Sequence, residues 1–141
     1  MPVNSGPVLL YDGECGLCCA VVRRLARADR RVALRFAPLQ GEFAQVALRR
    51  CGLPAQDFDS LVFLPEAEEP AFHLRTGGVI LALECLGGGW AATARVLAGV
   101  PAPWREVVYR GVARMRHRIF GRVRYRPGEP VNPARPEQFL A

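Results

Sequence analysis

Along the amino-terminal part of the chain, short apolar runs alternate with amphipathic stretches, and their order is informative. Pro7 to Tyr11 is an apolar run closed by Asp12-Gly13, the pattern of a buried strand ending in a turn. From Cys15 onward, Leu17, Val21, Val22 and Leu25 recur at helical spacing while Arg23, Arg24 and Arg27 take the other face. That spacing predicts an amphipathic helix with cysteines in its first turn. Val32, Leu34 and Phe36 alternate with Ala33 and Arg35 and predict a strand that Pro38 stops. Phe43, Val46, Ala47 and Arg50 predict a second helix, with Gly52 just past its end and Pro54 preventing continuation. Ser60 to Leu64 and Ala71 to Arg75 read as two strands of a hairpin around the acidic turn Pro65 to Pro70. Thr76 is then placed to cap a helix over Val79 to Leu86.

This order, βαβ followed by ββα, predicts an α/β fold of thioredoxin-like arrangement, a small mixed sheet flanked by helices. After Gly87-Gly88-Gly89 the pattern adds a helix from Trp90 to Leu97, a proline corner at Pro101 and Pro103, and a longer helix from Trp104 to Phe120. In that last helix Val107, Val108, Val112, Ile119 and Phe120 can form one apolar side, with arginines elsewhere as a solvated face. Trp104, Tyr109 and Phe120 read as packing residues. The reading is one domain over 1–141: a core of about 7–89, a helical extension of about 90–125 and an extended tail over 126–141.

Composition narrows the classes of function. With 141 residues, half of them hydrophobic, the chain can hold a core without metal or disulfide staples. Met1 to Gly6 has no basic cluster, and the following apolar run is too short for an export signal. The most apolar region, Val79 to Val100, is broken by Glu84, Arg95 and three consecutive glycines at Gly87 to Gly89, so integral membrane association is not expected. A cytoplasmic location follows as the expectation, and there five cysteines argue against a structural disulfide framework. The net charge of +6 comes mostly from arginine, much of it between Arg105 and Arg126. No nucleic-acid motif accompanies it, so no nucleic-acid partner is expected.

The chemistry concentrates at Cys15-Gly16-Leu17-Cys18. A helix amino terminus offers unpaired N–H groups and positive partial charge, which favour a sulfur anion, and the anion is the nucleophile. Cys15 is expected to attack a disulfide, and Cys18, one turn along, to resolve the mixed disulfide. Asp12, with Tyr11 and Thr76, is a candidate supporting residue; its carboxylate opposes an anion at Cys15 while the helix dipole supports one, and Asp-Gly is also ordinary turn chemistry. Gly77 and Gly78 are candidate substrate-binding residues, their N–H groups open to a carboxylate. Cys19 is expected to pack in the core, as are Cys51 and Cys85. The remaining cysteines with His73 and His117 form no second pair at zinc spacing, so no metal is expected, and dithiol exchange needs no bound cofactor. Two other readings stay open: a binding module using its basic helix with inert cysteines, and a metal-binding protein using Cys15, Cys18 and Cys19.

The segment Tyr11-Asp12-Gly13-Glu14-Cys15-Gly16-Leu17-Cys18 resembles the DCC thiol-disulfide oxidoreductases, named for their Asp-x-x-Cys-x-x-Cys signature. Arg35-Phe36-Ala37-Pro38-Leu39-Gln40 is similar to the family's second strand, Pro101 to Gly121 to its carboxy-terminal helix, and Phe139-Leu140 to its ending. The resemblance implies a thioredoxin-like fold and disulfide exchange with a thiol or disulfide substrate, protein or small molecule. Family members often carry serine in place of Thr76 and a cysteine where this chain reads Arg124-Tyr125-Arg126. Thioredoxins proper place a cis-proline before the strand facing the site, whereas this chain reads Asp57-Phe58-Asp59-Ser60.

Overall fold

Four residues of the first apolar run have no solvent face, and the fold is arranged around them. In the computed structural model, which describes residues 6–29, 34–53, 61–67, 71–119 and 139, strand β1 (Val8–Tyr11) is buried along its whole length. Helix α1 (Gly16–Ala28) returns the chain to β2 (Arg35–Pro38), which pairs parallel to β1 with Tyr11 opposite Pro38. Helix α2 (Glu42–Arg50) leads to β3 (Val62–Leu64), antiparallel to β1, and then β4 (His73–Leu74), antiparallel to β3. The sheet order is β2-β1-β3-β4. Pro38 closes β2 rather than preceding its end, which an edge strand tolerates because one side of it needs no ladder donor. This is a thioredoxin-like α/β fold.

The alternation of side chains along β1 divides the interior. Leu9 and Tyr11 point to one face and pack with Val22, Leu25 and Ala26 of α1 and with Ile80 and Leu83 of the following helix, α3 (Arg75–Leu86). Val8 and Leu10 point to the other and pack with Ala44, Ala47 and Leu48 of α2. Phe139 of the tail forms a parallel bridge with Phe36, their rings 5.7 Å apart, so the chain end returns to β2. The rest of the tail, Phe120, the 124–126 segment and residues 57–60 lie outside the described residues.

Helix α3 begins earlier than the sequence predicts, and this corrects the role of Thr76. Its N-cap is Leu74, with no side-chain cap, so Thr76 lies inside the first turn. The Thr76 hydroxyl instead donates to Glu106 Oε1 at 2.6 Å, linking α3 to the last helix. Gly87, at φ +70°, ends α3 and starts α4 (Gly88–Ala98) in one residue, a conformation that costs a side-chain-bearing residue energy.

The last helix, α5 (Ala102–Ile119), also departs from expectation. Trp104, Val107 and Val108 are 69%, 67% and 67% exposed and Met115 is exposed with them, so most of the apolar residues face outward, while Val112 is only partly covered. Small side chains and a polar tether do the inward packing: Ala113 is half-buried, and Leu61 N–H donates to Tyr109 Oη at 3.2 Å.

Two adjacent glycines in α3 separate packing from propensity. A Cβ on Gly78 would lie 2.8 Å from the His73 carbonyl oxygen and 3.2 Å from Phe63 Cβ, whereas one on Gly77 would meet nothing within 4 Å. Gly78→Ala is expected to destabilise by about 1–3 kcal/mol through overpacking, and Gly77→Ala to stabilise by up to about 1 kcal/mol. Urea denaturation of both variants measures the contrast.

Candidate active site

At the carboxyl end of β1 the chain leaves the sheet in a turn that polar groups hold from two sides. Asp12 Oδ1 accepts from Glu14 N–H at 2.9 Å and from Gln40 Nε2 at 2.8 Å. Gln40 Oε1 in turn accepts from Gly13 N–H at 2.9 Å, so one amide from beyond β2 fastens both the carboxylate and the backbone of the turn. Cys15 N–H donates to Asp12 O at 3.2 Å and completes it. Asp12, 8% exposed, therefore has the turn-forming role open to it from the sequence. Tyr11 is a core residue, 2% exposed.

The turn delivers Cys15 as the N-cap of α1, where its Sγ accepts from Cys18 N–H at 3.3 Å. A side chain that accepts from the third helical residue satisfies one of the orphan donors of the first turn, and here a sulfur does it. The two cysteines of the motif thus share one turn, with the backbone of the second bonded to the sulfur of the first. Their exposure runs opposite to the roles read from the sequence: Cys15 is 0% exposed, and Cys18 is partly exposed.

Cys18 also stands in the wall of a cavity of about 220 Å³ between α1, α3 and α5. Leu17, Val21 and Val22 of α1, Val79 and Ala82 of α3, and Tyr109 and Val112 of α5 are among its walls. The other candidates do not meet there. Gly77 and Gly78 do not line the cavity, and the close approach of Gly78 to His73 and Phe63 assigns it to packing. Thr76 is turned to Glu106. Gln40, which the sequence offered only as part of a resembling segment, joins the site across 28 positions, and nothing local marks it.

Of the remaining thiols only Cys19 is in the core; Cys51 and Cys85, expected there, are partly exposed. Cys19 is buried, and its Sγ lies 3.6 Å from Gly13 O, to which the thiol donates. Burial pushes the Cys19 thiol up from its ordinary 9.0, the nearby Cys15 and Asp12 add to this, and Arg23 opposes it. Burial likewise raises Cys51, against Arg50, and Cys85, together with Asp29 and Glu84. Among the described residues no three His, Cys, Asp or Glu side chains form a group that could hold a metal ion, and no helix is long and apolar enough to cross a membrane.

A buried turn, a cysteine N-cap and a second cysteine one turn on, set on a thioredoxin-like sheet, define a candidate dithiol site. The model of the DCC1-like thiol-disulfide oxidoreductase family matches residues 9–122, and the chain belongs to that family. It is 35% identical over 115 residues to the uncharacterized protein YuxK of Bacillus subtilis, covering 82% of this chain and 81% of that one. It is 29% identical over 119 residues to the chloroplastic DCC family protein At1g52590 of Arabidopsis thaliana, covering 84% and 67%. No solved structure matches the chain.

Two outcomes follow from the geometry. Gln40→Ala leaves the Asp12 carboxylate and Gly13 N–H without this partner, and is expected to lower stability by about 1.5–3 kcal/mol in denaturant unfolding. The raised thiols set a pH dependence: below about pH 9 folded and unfolded chains both hold these protons, while above it the unfolded chain releases them first. Stability is therefore expected to fall as pH rises from 9, and the slope between pH 8 and pH 10 to be shallower in Cys19→Ala, as denaturation at the two values would measure.

Proposed function

We propose that the protein is a thiol-disulfide oxidoreductase in which Cys15 and Cys18 cycle between dithiol and disulfide. The contact that carries this reading is the 3.3 Å approach of Cys18 N–H to Cys15 Sγ, which puts the two residues on one turn with a donor on the first sulfur. A helix amino terminus receives a sulfur anion well. Reduction of a substrate disulfide moves two electrons from the pair to the substrate, leaves Cys15 and Cys18 joined, and releases two thiols; a cellular thiol or reductase returns the electrons. No bound cofactor enters. Asp12 and Gln40 position Cys15 through the turn, and partial or full burial favours the protonated form of the cysteines outside the pair. Cysteine usage suits a reducing compartment, and the cytoplasm is the location proposed.

The expected behaviour is reduction of insulin disulfides with dithiothreitol as electron source, abolished in Cys15→Ser and in Cys18→Ser and retained in Cys51→Ser. Mass spectrometry of the oxidised protein should find it two hydrogen atoms lighter, with the link between peptides containing Cys15 and Cys18. Wild-type turnover no faster than that of the Cys15→Ser/Cys18→Ser double variant refutes the reading.

A further inference from the structure

We infer that the outward face of α5 is a docking surface for an anionic membrane: the helix lies flat on a negatively charged lipid leaflet, with its apolar stripe against the acyl chains and its arginines at the headgroup phosphates. The inference is independent of the dithiol reading and concerns where the protein works.

The rotation of the helix is the first ground. Leu61 N–H donates to Tyr109 Oη and the Thr76 hydroxyl donates to Glu106 Oε1, so two polar anchors hold one side of α5 against the rest of the chain. At about 100° per residue, Trp104, Val107, Val108, Gly111 and Met115 then share one arc on the other side, and all five are exposed. With the anchors in place the stripe cannot turn inward to bury itself. A continuous apolar ridge left in water on a folded chain marks a surface that meets something else.

Charge is the second ground, and it selects the occupant. Arg110, Arg114 and Arg118 are exposed and stand four residues apart, a row that borders the stripe and closes its carboxyl end. Like charges at that spacing repel, and the helix offers little to offset them. Glu106 is its one acid; Oε1 accepts from Thr76, and Oε2 is buried without a hydrogen-bond partner among the described residues. An anionic counterpart relieves the repulsion. A second copy of the chain does not, because it brings the same arginines and no further acid on this helix. Nucleic acid serves the arginines but leaves the valines and the tryptophan in water.

A lipid leaflet serves both. The indole of Trp104 suits the interface, the aliphatic side chains reach the acyl boundary, and the arginines extend their charge to phosphates. From Trp104 to Met115 the ridge is convex and roughly 16 Å long, a shape that a flat, deformable surface accepts and that a protein could cover only with a matching groove. The cytoplasmic leaflet is the anionic one, in keeping with the compartment proposed above. The contact is with the surface alone, since no described helix is long and apolar enough to cross a membrane.

The test is cosedimentation of the full chain at low salt with vesicles of phosphatidylcholine alone and of phosphatidylcholine and phosphatidylglycerol in equal parts. The wild type should bind the mixed vesicles about a hundredfold more tightly than the neutral ones, about fivefold for each arginine of the row. Arg110→Gln/Arg114→Gln/Arg118→Gln should lose that preference. Val107→Gln/Val108→Gln keeps the charges and should bind the mixed vesicles at least about tenfold more weakly. Brominated acyl chains should quench wild-type tryptophan emission, and Trp104→Phe should abolish the quenching. These side chains are exposed, so the variants should melt with the wild type. If a multiple variant melts lower, Arg114→Gln and Val107→Gln singly take its place, each expected to cost about fivefold. Binding to neither vesicle overturns the inference and leaves the face to a protein partner. Equal binding to both, or binding to which the valine variants are indifferent, also overturns it. So does a wild-type dimer that Val107→Gln/Val108→Gln dissociates in analytical ultracentrifugation, which assigns the face to a second copy. None of these outcomes touches the dithiol reading, because both cysteines stay in place.

Discussion

β1 has helices against both faces, so none of its residues can carry exposed chemistry, and the chain can present polar groups only where the strand ends. That constraint places the turn Asp12-Gly13-Glu14 at the carboxyl edge of the sheet, the edge at which open α/β sheets hold their sites. The same turn must also start α1, because α1 covers the face to which Leu9 and Tyr11 point. A cysteine at the N-cap is the consequence of both demands meeting in one residue. Gln40 stabilises this junction from the end of the parallel neighbour, since β2 finishes opposite Tyr11 and leaves its following residues beside the turn.

Burial acts on three of the five thiols. Desolvation disfavours the charged form of a thiol, and it raises Cys19, Cys51 and Cys85. Cys19 is instructive because it follows Cys18 directly, yet its helical direction points it inward to the carbonyl of Gly13. One residue of rotation, about 100° on a helix, separates a thiol that donates to the backbone of a turn from one that stands in the wall of a cavity.

The far wall of that cavity is α5, and its packing explains the outward stripe. The helix approaches α1 and α3 with Tyr109 and Ala113, and the Thr76 hydroxyl and Leu61 N–H provide polar contacts to Glu106 and Tyr109. Those anchors leave the valines at 107 and 108 and Trp104 on the opposite side. The space between Tyr109, Val112 and Ala113 of α5 and the neighbouring helices remains open as the cavity.

Period and punctuation along the chain were enough for the elements near the site. The apolar run of β1, the Asp-Gly turn, the helical spacing after Cys15 and the hairpin around the acidic turn are local signals, each written within a few residues, and the family signature adds the chemistry. What lay beyond them depends on groups far apart in sequence. A stripe at helical spacing states that α5 has an apolar side but not which way it faces, because that is decided by the anchors Glu106 and Tyr109 find on other elements. Thr76 reads as a cap until Leu74 is seen to take that position. The relative exposure of Cys15 and Cys18 was likewise outside the reach of the motif. The motif itself determines that two thiols share a turn, since spacing on a helix is intrinsic; which of them reaches solvent is decided by how α1 packs against its neighbours, and such long-range contacts exist only once the chain has folded.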